Sequence, residues 1–320
     1  DVYKRQVWEL GIYRFLAGVG IGGEWALAGT YVAEAWPEDR RKMGAGYLQT
    51  GYYAGFFMAA ALNYTIGATF GWRAMFLVGI VPVIVSIVVL LRVKETDKWE
   101  KVEATVVKKA SSLRSIFSAQ YRQRTIVATA LLTVAIIGLW AGAVYEPSAV
   151  IQLATKAGMT KADASRTASI ATGLLSIGTI IGCLALPPMA ERIGRRLTLA
   201  VYFVGMAVSI ALAFGWAFYL ENGLVPFIAL LVVLGFFGGN FALFSLWLPE
   251  QFETRVRATA FAFCTSIGRF FGAIVNFGIG AMVLHMKTLG VPIALTAIAF
   301  VIGLAVIPFA PETKGQDLPS

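Results

Sequence analysis

An all-α, polytopic membrane protein is what this chain predicts, and three observations carry the prediction. Of its 320 residues 58% are hydrophobic and only 14% charged, with a mean hydropathy of +0.72, whereas a soluble domain carries about 25% charged residues. Apolar runs of about 20 residues, the length a helix needs to cross a bilayer, recur along the whole chain. The basic residues gather in the connections between those runs, where they orient a membrane chain, so the formal charge of +9 argues for topology and against nucleic acid.

Nine runs qualify as spans: 8–35, 43–66, 73–92, 125–147, 168–188, 197–219, 224–247, 257–283 and 291–309. The connections on one side hold eighteen Lys and Arg and those on the other five. The richer side is cytoplasmic by the positive-inside rule, which places the C-terminus inside. The chain begins at Asp1, and DVYKRQ lacks the apolar core of a signal peptide; a native start further upstream is expected.

The first span carries Arg14 and Glu24 among Gly18, Gly20, Gly22 and Gly29. A charge in hydrocarbon costs at least about 2.5 kcal/mol, so both side chains must face protein or water. A carboxyl desolvated at the depth of Glu24 is poised to take up and release a proton. It could equally pair with a cation such as Arg14 or Arg269. Glu24 and Arg14 are therefore the proton-coupling candidates, and the glycines are read as close helix contacts.

The same span opens an internal repeat. Glu34 precedes Arg41 by seven residues, as Glu250 precedes Arg257, and a second acidic mark follows two spans later, Glu95 in KET and Glu312 in PET. The offset of 216 or 217 residues joins two copies in the same orientation, the arrangement of parallel halves. Glu34, Arg41, Glu95, Glu191, Arg192, Arg195, Arg196, Glu250, Arg257 and Glu312 all fall at the basic ends of spans. Paired across two halves, they would form a cytoplasmic gate; alternatively they orient the chain and complement helix ends.

These marks resemble the major facilitator superfamily, and within it the sugar and metabolite proton symporters. The resemblance rests on Arg14 with the glycine run, Glu34-x-x-Pro37-x-x-x-Arg41, Gln49, Glu95-Thr96 with Trp99, Glu191-Arg192-x-Gly194-Arg195-Arg196, Pro249-Glu250 with Thr254 and Arg257, and Pro311-Glu312-Thr313-Lys314-Gly315. It implies that the nine spans are the fourth to twelfth of twelve, with the first three missing. Residues 1–93 would complete the N-terminal bundle, 94–124 form a cytoplasmic linker, and 125–320 form the C-terminal six-helix bundle. Pro187, Glu191 and Glu253 depart from the family pattern, and the helix-seven glutamines of hexose porters are absent from 133–145. The pattern is closer to organic-acid carriers.

Candidate solute contacts follow from stripes near mid-span. Arg269 shares a helix face with Ala262, Thr265 and Asn276, and a guanidinium facing a wet cavity binds a carboxylate bidentately; buried against an acid it would instead lock packing. Gln49 and Tyr52 recur with Phe56 and Asn63, Trp140 approaches Tyr145 and Glu146, and Asn240 sits among Phe237, Phe241 and Phe244. Trp8, Trp36, Trp72, Trp99 and Trp247, near span ends, read as belt residues.

The expected function is secondary transport of a small organic carboxylate with protons, by alternating access, in a bacterial inner membrane. Sugar or polyol symport and drug efflux are the alternatives. The chain has no HExxH, no CxxC and a single histidine, His285, and its two cysteines lack ligand spacing, so neither an enzyme nor a metal site is indicated. A channel or sensor would not need two matched halves. No cofactor is expected, and the partners expected are the solute, protons and the lipid bilayer, with the chain acting as a monomer.

Overall fold

The computed structural model describes residues 2–37, 40–92, 113–316 and 318–319. Each apolar run is helical, and among the described residues no strand occurs. Helix α1 is Val2–Ala35 and α2 is Arg41–Leu62, prolonged by a π turn at Asn63–Gly67. The third run breaks at Gly79 into α3 (Trp72–Val78) and α4 (Val81–Arg92). Then come α5 (Arg122–Lys156), α6 (Lys161–Ile193) and α7 (Arg195–Gly215). The run 224–247 is divided into α8 (Leu224–Gly238) and α9 (Phe241–Gln251), followed by α10 (Thr254–Met286), α11 (Gly290–Ala294) and α12 (Ala297–Val306). Among the described residues, five helical stretches are long and apolar enough to cross a membrane by length and composition: Lys161–Ile193, Arg195–Tyr219, Leu224–Gln251, Thr254–Met286 and Gly290–Phe309.

Close packing explains where the glycines fall. Helix α6 lies between α2 and α8, and a Cβ at Gly182 or Gly178 would run into the Phe236 or Val232 carbonyl of α8. Gly235 of α8 faces the Leu175 carbonyl in return, so small residues on both helices let the backbones meet. Pro187, inside α6, has no N–H for the Cys183 carbonyl. Gly46 of α2 approaches that carbonyl, leaving room for a Cβ only at 3.0 Å from it. In α1 the expectation holds for Gly29, which Phe261 of α10 covers, and fails for Gly18, which faces open space.

Large side chains fill the centre, with Trp247, Tyr202, Phe203, Phe214 and Phe261 buried in one cluster. Helix α4 shows the opposite pattern: Ile84, Val85, Ile87 and Val88 are exposed around its circumference, as suits an apolar helix in lipid. Both cysteines are buried and unpaired. Glu95 and Trp99 and most of the expected linker lie outside the described residues; its end, 113–124, is a short helix and turns held by the Thr125 hydroxyl donating to the Ile116 carbonyl at 2.8 Å.

Candidate functional site

Two polar regions stand out, a cavity in the middle of the bundle and a rim at its basic end. The cavity has a volume of about 480 Å³, within the range of small-molecule sites. Helices α1 and α2 wall one side with Trp25, Ala28, Gln49 and Tyr52. Helices α5, α9 and α10 wall the other with Trp140, Phe241, Thr265 and Arg269. The internal repeat thus contributes both sides, and four of the residues that the sequence singles out, Gln49, Tyr52, Trp140 and Arg269, meet here.

Helical spacing sets each side chain. Gln49 and Tyr52 are three apart on α2, and Thr265 and Arg269 four apart on α10, so each pair shares a face. Gln49 is buried, and its Oε1 accepts the Trp25 Nε1–H at 3.0 Å. Trp25 is fixed from behind by Phe241 and Phe261, with ring centroids at 5.7 and 5.0 Å. Arg269 is half-buried and supplies the cavity's cation. A guanidinium offers a fixed fork of donors and tolerates stacking on aromatic faces, and here Trp25, Tyr52, Trp140 and Phe241 line the same cavity.

Four expectations change. Asn240 does not line the cavity: the chain breaks at Gly239, and the Asn240 amide folds back to donate to the Phe237 carbonyl at 3.0 Å, with its Oδ1 buried and unpartnered. Asn276 lies one level further along α10, in an adjoining recess of about 640 Å³ with Trp140 and Tyr145, and its carbonyl accepts the Tyr145 hydroxyl at 3.0 Å. Trp247 is no belt residue; it is buried and donates to the Pro311 carbonyl at 3.1 Å. Arg14 is exposed on α1, eleven residues or about 16 Å along the helix from Trp25, and does not enter the cavity. Glu24 and Arg41 belong to α1 and α2, but their side chains lie outside the described residues.

Trp25 is the contact that sequence reasoning missed. Its signal was a tryptophan in mid-span, away from the interfacial levels where that residue concentrates.

The basic rim is a network of matched charges. Arg195 is fully buried and grips Glu250 with two bonds, Nε to Oε2 at 3.0 Å and Nη2 to Oε1 at 2.8 Å, with Glu191 2.6 Å from Nη1. Thr313 donates to Glu250 at 2.5 Å. Glu312 accepts the backbone N–H groups of Arg195 and Arg196 at 2.9 and 3.1 Å, Arg196 Nε donates to the Ala310 carbonyl at 2.6 Å, and Lys314 donates to the Arg192 carbonyl at 2.9 Å. The Glu312 carboxyl sits below its usual range: burial pushes it up, but those amides, that of Lys314 and the Arg195 charge outweigh burial. Gly194 makes this approach possible, with φ of 91° and only 2.8 Å between a would-be Cβ and Glu312 Oε2.

Pairing across the repeat is narrower than the sequence suggests. Only Glu34 and Arg257, 3.3 Å apart with side chains 6% and 2% exposed, join the two halves among the described ion pairs. Arg257 also donates to the Pro249 carbonyl at 3.1 Å and the Pro319 carbonyl at 2.8 Å. The remaining charges hold the second half to its own tail, because Arg195 lies deep between α9 and the 311–314 segment. The Glu34 and Glu250 ends therefore share one face of the bundle.

The comparisons with known proteins agree with this architecture. The family model described as Major Facilitator Superfamily matches residues 5–273. The chain is 28% identical over 321 residues to the "Probable 4-methylmuconolactone transporter" of Cupriavidus pinatubonensis, covering 96% of this chain and 70% of that protein. It is 28% identical over 284 residues to the "Cis,cis-muconate transport protein" of Acinetobacter baylyi, covering 85% and 65%. In structure it is similar to the proton:xylose symporter XylE, with a TM-score of 0.72 at 20% identity, covering 96% of this chain and 72% of that one. Helices, repeat and family model together identify the chain as a multi-pass membrane protein and a small-solute transporter belonging to the major facilitator superfamily.

Proposed function

We propose that this transporter carries a small organic carboxylate together with protons, by alternating access, with Arg269 binding the carboxylate. The observation that supports the reading most is the cavity itself: one guanidinium among Trp25, Tyr52, Trp140 and Phe241. A sugar needs many directed polar partners, and here Gln49 is already engaged by Trp25. The names of the muconolactone and muconate transporters point to the same substrate class.

The basic rim, cytoplasmic in this reading, closes one mouth through the Glu34–Arg257 tie and opens when that tie parts. Arg41, Glu95, Glu191, Arg192, Arg195, Arg196, Glu250 and Glu312 support the gate, and Gln49, Tyr52, Trp140 and Asn276 shape the solute path. Glu24, one position from Trp25, is the proton carrier on α1; the membrane is a bacterial inner membrane and the working unit a monomer.

The test is uptake into proteoliposomes of the full-length protein, using cis,cis-muconate and xylose as probes, with and without an imposed pH gradient. Gradient-driven accumulation of muconate, lost in Arg269→Gln, is expected. Accumulation of xylose instead, or full activity in Arg269→Gln, overturns the reading.

A further inference from the structure

Glu146 has no part in the cavity or the rim. It lies on α5, six residues or about 9 Å beyond Trp140 toward the end opposite the basic rim. The side chain is 1% exposed. Thr172 of α6 stands 2.9 Å from its Oε2, while Oε1 is buried and has no hydrogen-bond partner among the described residues. The charged and titratable groups on the elements packed against α5 are directed elsewhere. On α6, Asp163 and Arg166 pair at the half-exposed end, Lys161 is exposed, and Cys183, Glu191 and Arg192 lie toward the rim. On α10, Arg269 faces the cavity, His285 is exposed, and Cys264, Arg255 and Arg257 lie toward the rim. Glu250 of α9 is held by Arg195, and α8, α11 and α12 have no titratable side chain. On α5 itself, Tyr145 donates to Asn276.

An ionised carboxylate buried without a cation is among the most costly groups a protein can hold, and such a group neutralises instead. The hydrogen bonding agrees. The Thr172 hydroxyl has one proton and two acceptors within reach, Glu146 Oε2 and the Ala168 carbonyl at 3.0 Å. A carboxylic acid that donates to Thr172 leaves the hydroxyl free to donate to Ala168. A carboxylate has at most that single donor.

The surroundings also provide a route and a hinge. Asn63 of α2 donates to Ser169 at 2.9 Å and reaches Ser165 at 3.5 Å; Ser169 and Thr172 are three apart on one face of α6. Polar groups thus lead from half-exposed Asn63 and Ser165 inward to Glu146. Pro147, the next residue inside α5, lacks the N–H that would bond the Ala143 carbonyl, which weakens the helix at this level.

We propose that Glu146 is a proton-binding site of this transporter, protonated in the conformation described here and relieved of its proton when α5 bends at Pro147. The proposal rests on the alternating-access reading and is separate from the assignment of Glu24.

Infrared spectroscopy of the full-length protein in lipid nanodiscs tests it directly. At neutral pH the wild type is expected to show the C=O stretch of a buried carboxylic acid, lost in Glu146→Gln and kept in Glu221→Gln, a change in an exposed loop. An identical band in wild type and Glu146→Gln overturns the proposal. Proteoliposome uptake with cis,cis-muconate gives the second arm. In Glu146→Gln, exchange of internal for external muconate is expected to persist, while accumulation driven by a pH gradient falls to the level reached without one. Wild-type accumulation in that variant overturns the coupling role. If the wild type takes up no muconate at all, the carboxylate reading of the cavity fails, and the infrared band still decides Glu146.

Discussion

The basic rim and the central cavity are assembled from the same helices yet use polarity in opposite ways. At the rim the charges meet opposite charges or several backbone groups: Arg195 with Glu250 and Glu191, Arg257 with Glu34 and two carbonyls, Glu312 with two N–H groups at the start of α7. In the cavity one guanidinium faces mainly aromatic walls. Matched charges bring little net energy but hold a geometry, because separating them strands a desolvated ion. The Arg269 guanidinium is only half-buried and lines the cavity, so part of it faces open volume rather than a second buried charge of the rim. The contrast is between a region of closely paired charges and a half-open aromatic cavity, which the proposed function assigns to gating and to solute binding.

The largest expected effect lies where the rim is deepest. Arg195→Ala leaves Glu250, whose side chain is 1% exposed, with only Thr313 for a partner, and removal of one member of a buried pair costs about 3–5 kcal/mol. Thermal unfolding in detergent should show it, and a shift no larger than that of an exposed-pair variant would show the pair to be hydrated. Arg269→Gln should destabilise less than Arg195→Ala, because Arg269 is half-buried and Arg195 fully buried, while weakening binding of a carboxylate probe by about 1.5–3 kcal/mol, the value of a hydrogen bond to a charged group. Calorimetric titration with cis,cis-muconate reads that loss. If Arg269→Gln instead melts the protein as Arg195→Ala does, the two regions do not differ in kind.

Glu34→Gln is a smaller change. The amide keeps an acceptor oxygen for Arg257 and loses only the charge, so the tie should weaken by less than the cost of removing one member of a buried pair outright, about 3–5 kcal/mol. Slower transport with normal membrane insertion is expected, and unchanged turnover would remove Glu34 from the gate.

The rim was largely legible in the sequence, because charges at helix ends in a repeated spacing need no knowledge of helix rotation. Glu34, Arg257, Glu250 and Glu312 came out of that spacing, and Arg195 out of its place at a helix end. What the pattern did not give was the partner: Arg195 could be placed at the rim but not assigned to Glu250 within its own half. The cavity was legible in part. Helical period says which residues share a face, not which face turns inward, so Gln49 and Tyr52 were recoverable as a pair while Trp25 escaped. Asn240 failed for another reason, since the break at Gly239 resets the helical phase that placed it beside Phe241 and Phe244. Trp247 shows that nearness to a span end does not decide between lipid and a tail that folds back.

The smallest effect concerns the loop where Glu312 closes over the start of α7. Its carboxyl is held below the usual range by backbone N–H groups and the Arg195 charge, against the opposing push of burial. A group whose folded value is depressed adds stability that is fully present above its unfolded value, about 4.3 for Glu, and is lost as the pH falls through the folded one. The contact should therefore be indifferent to pH from neutrality down to about 4.3 and loosen only below it. Hydrogen exchange of the Arg195 and Arg196 amides, corrected for intrinsic rates, should stay flat and then rise in acid, with Glu312→Gln removing the step. A step at higher pH would mean that these two N–H groups do not hold the carboxylate, and that Gly194, with its positive φ, is needed for the turn alone.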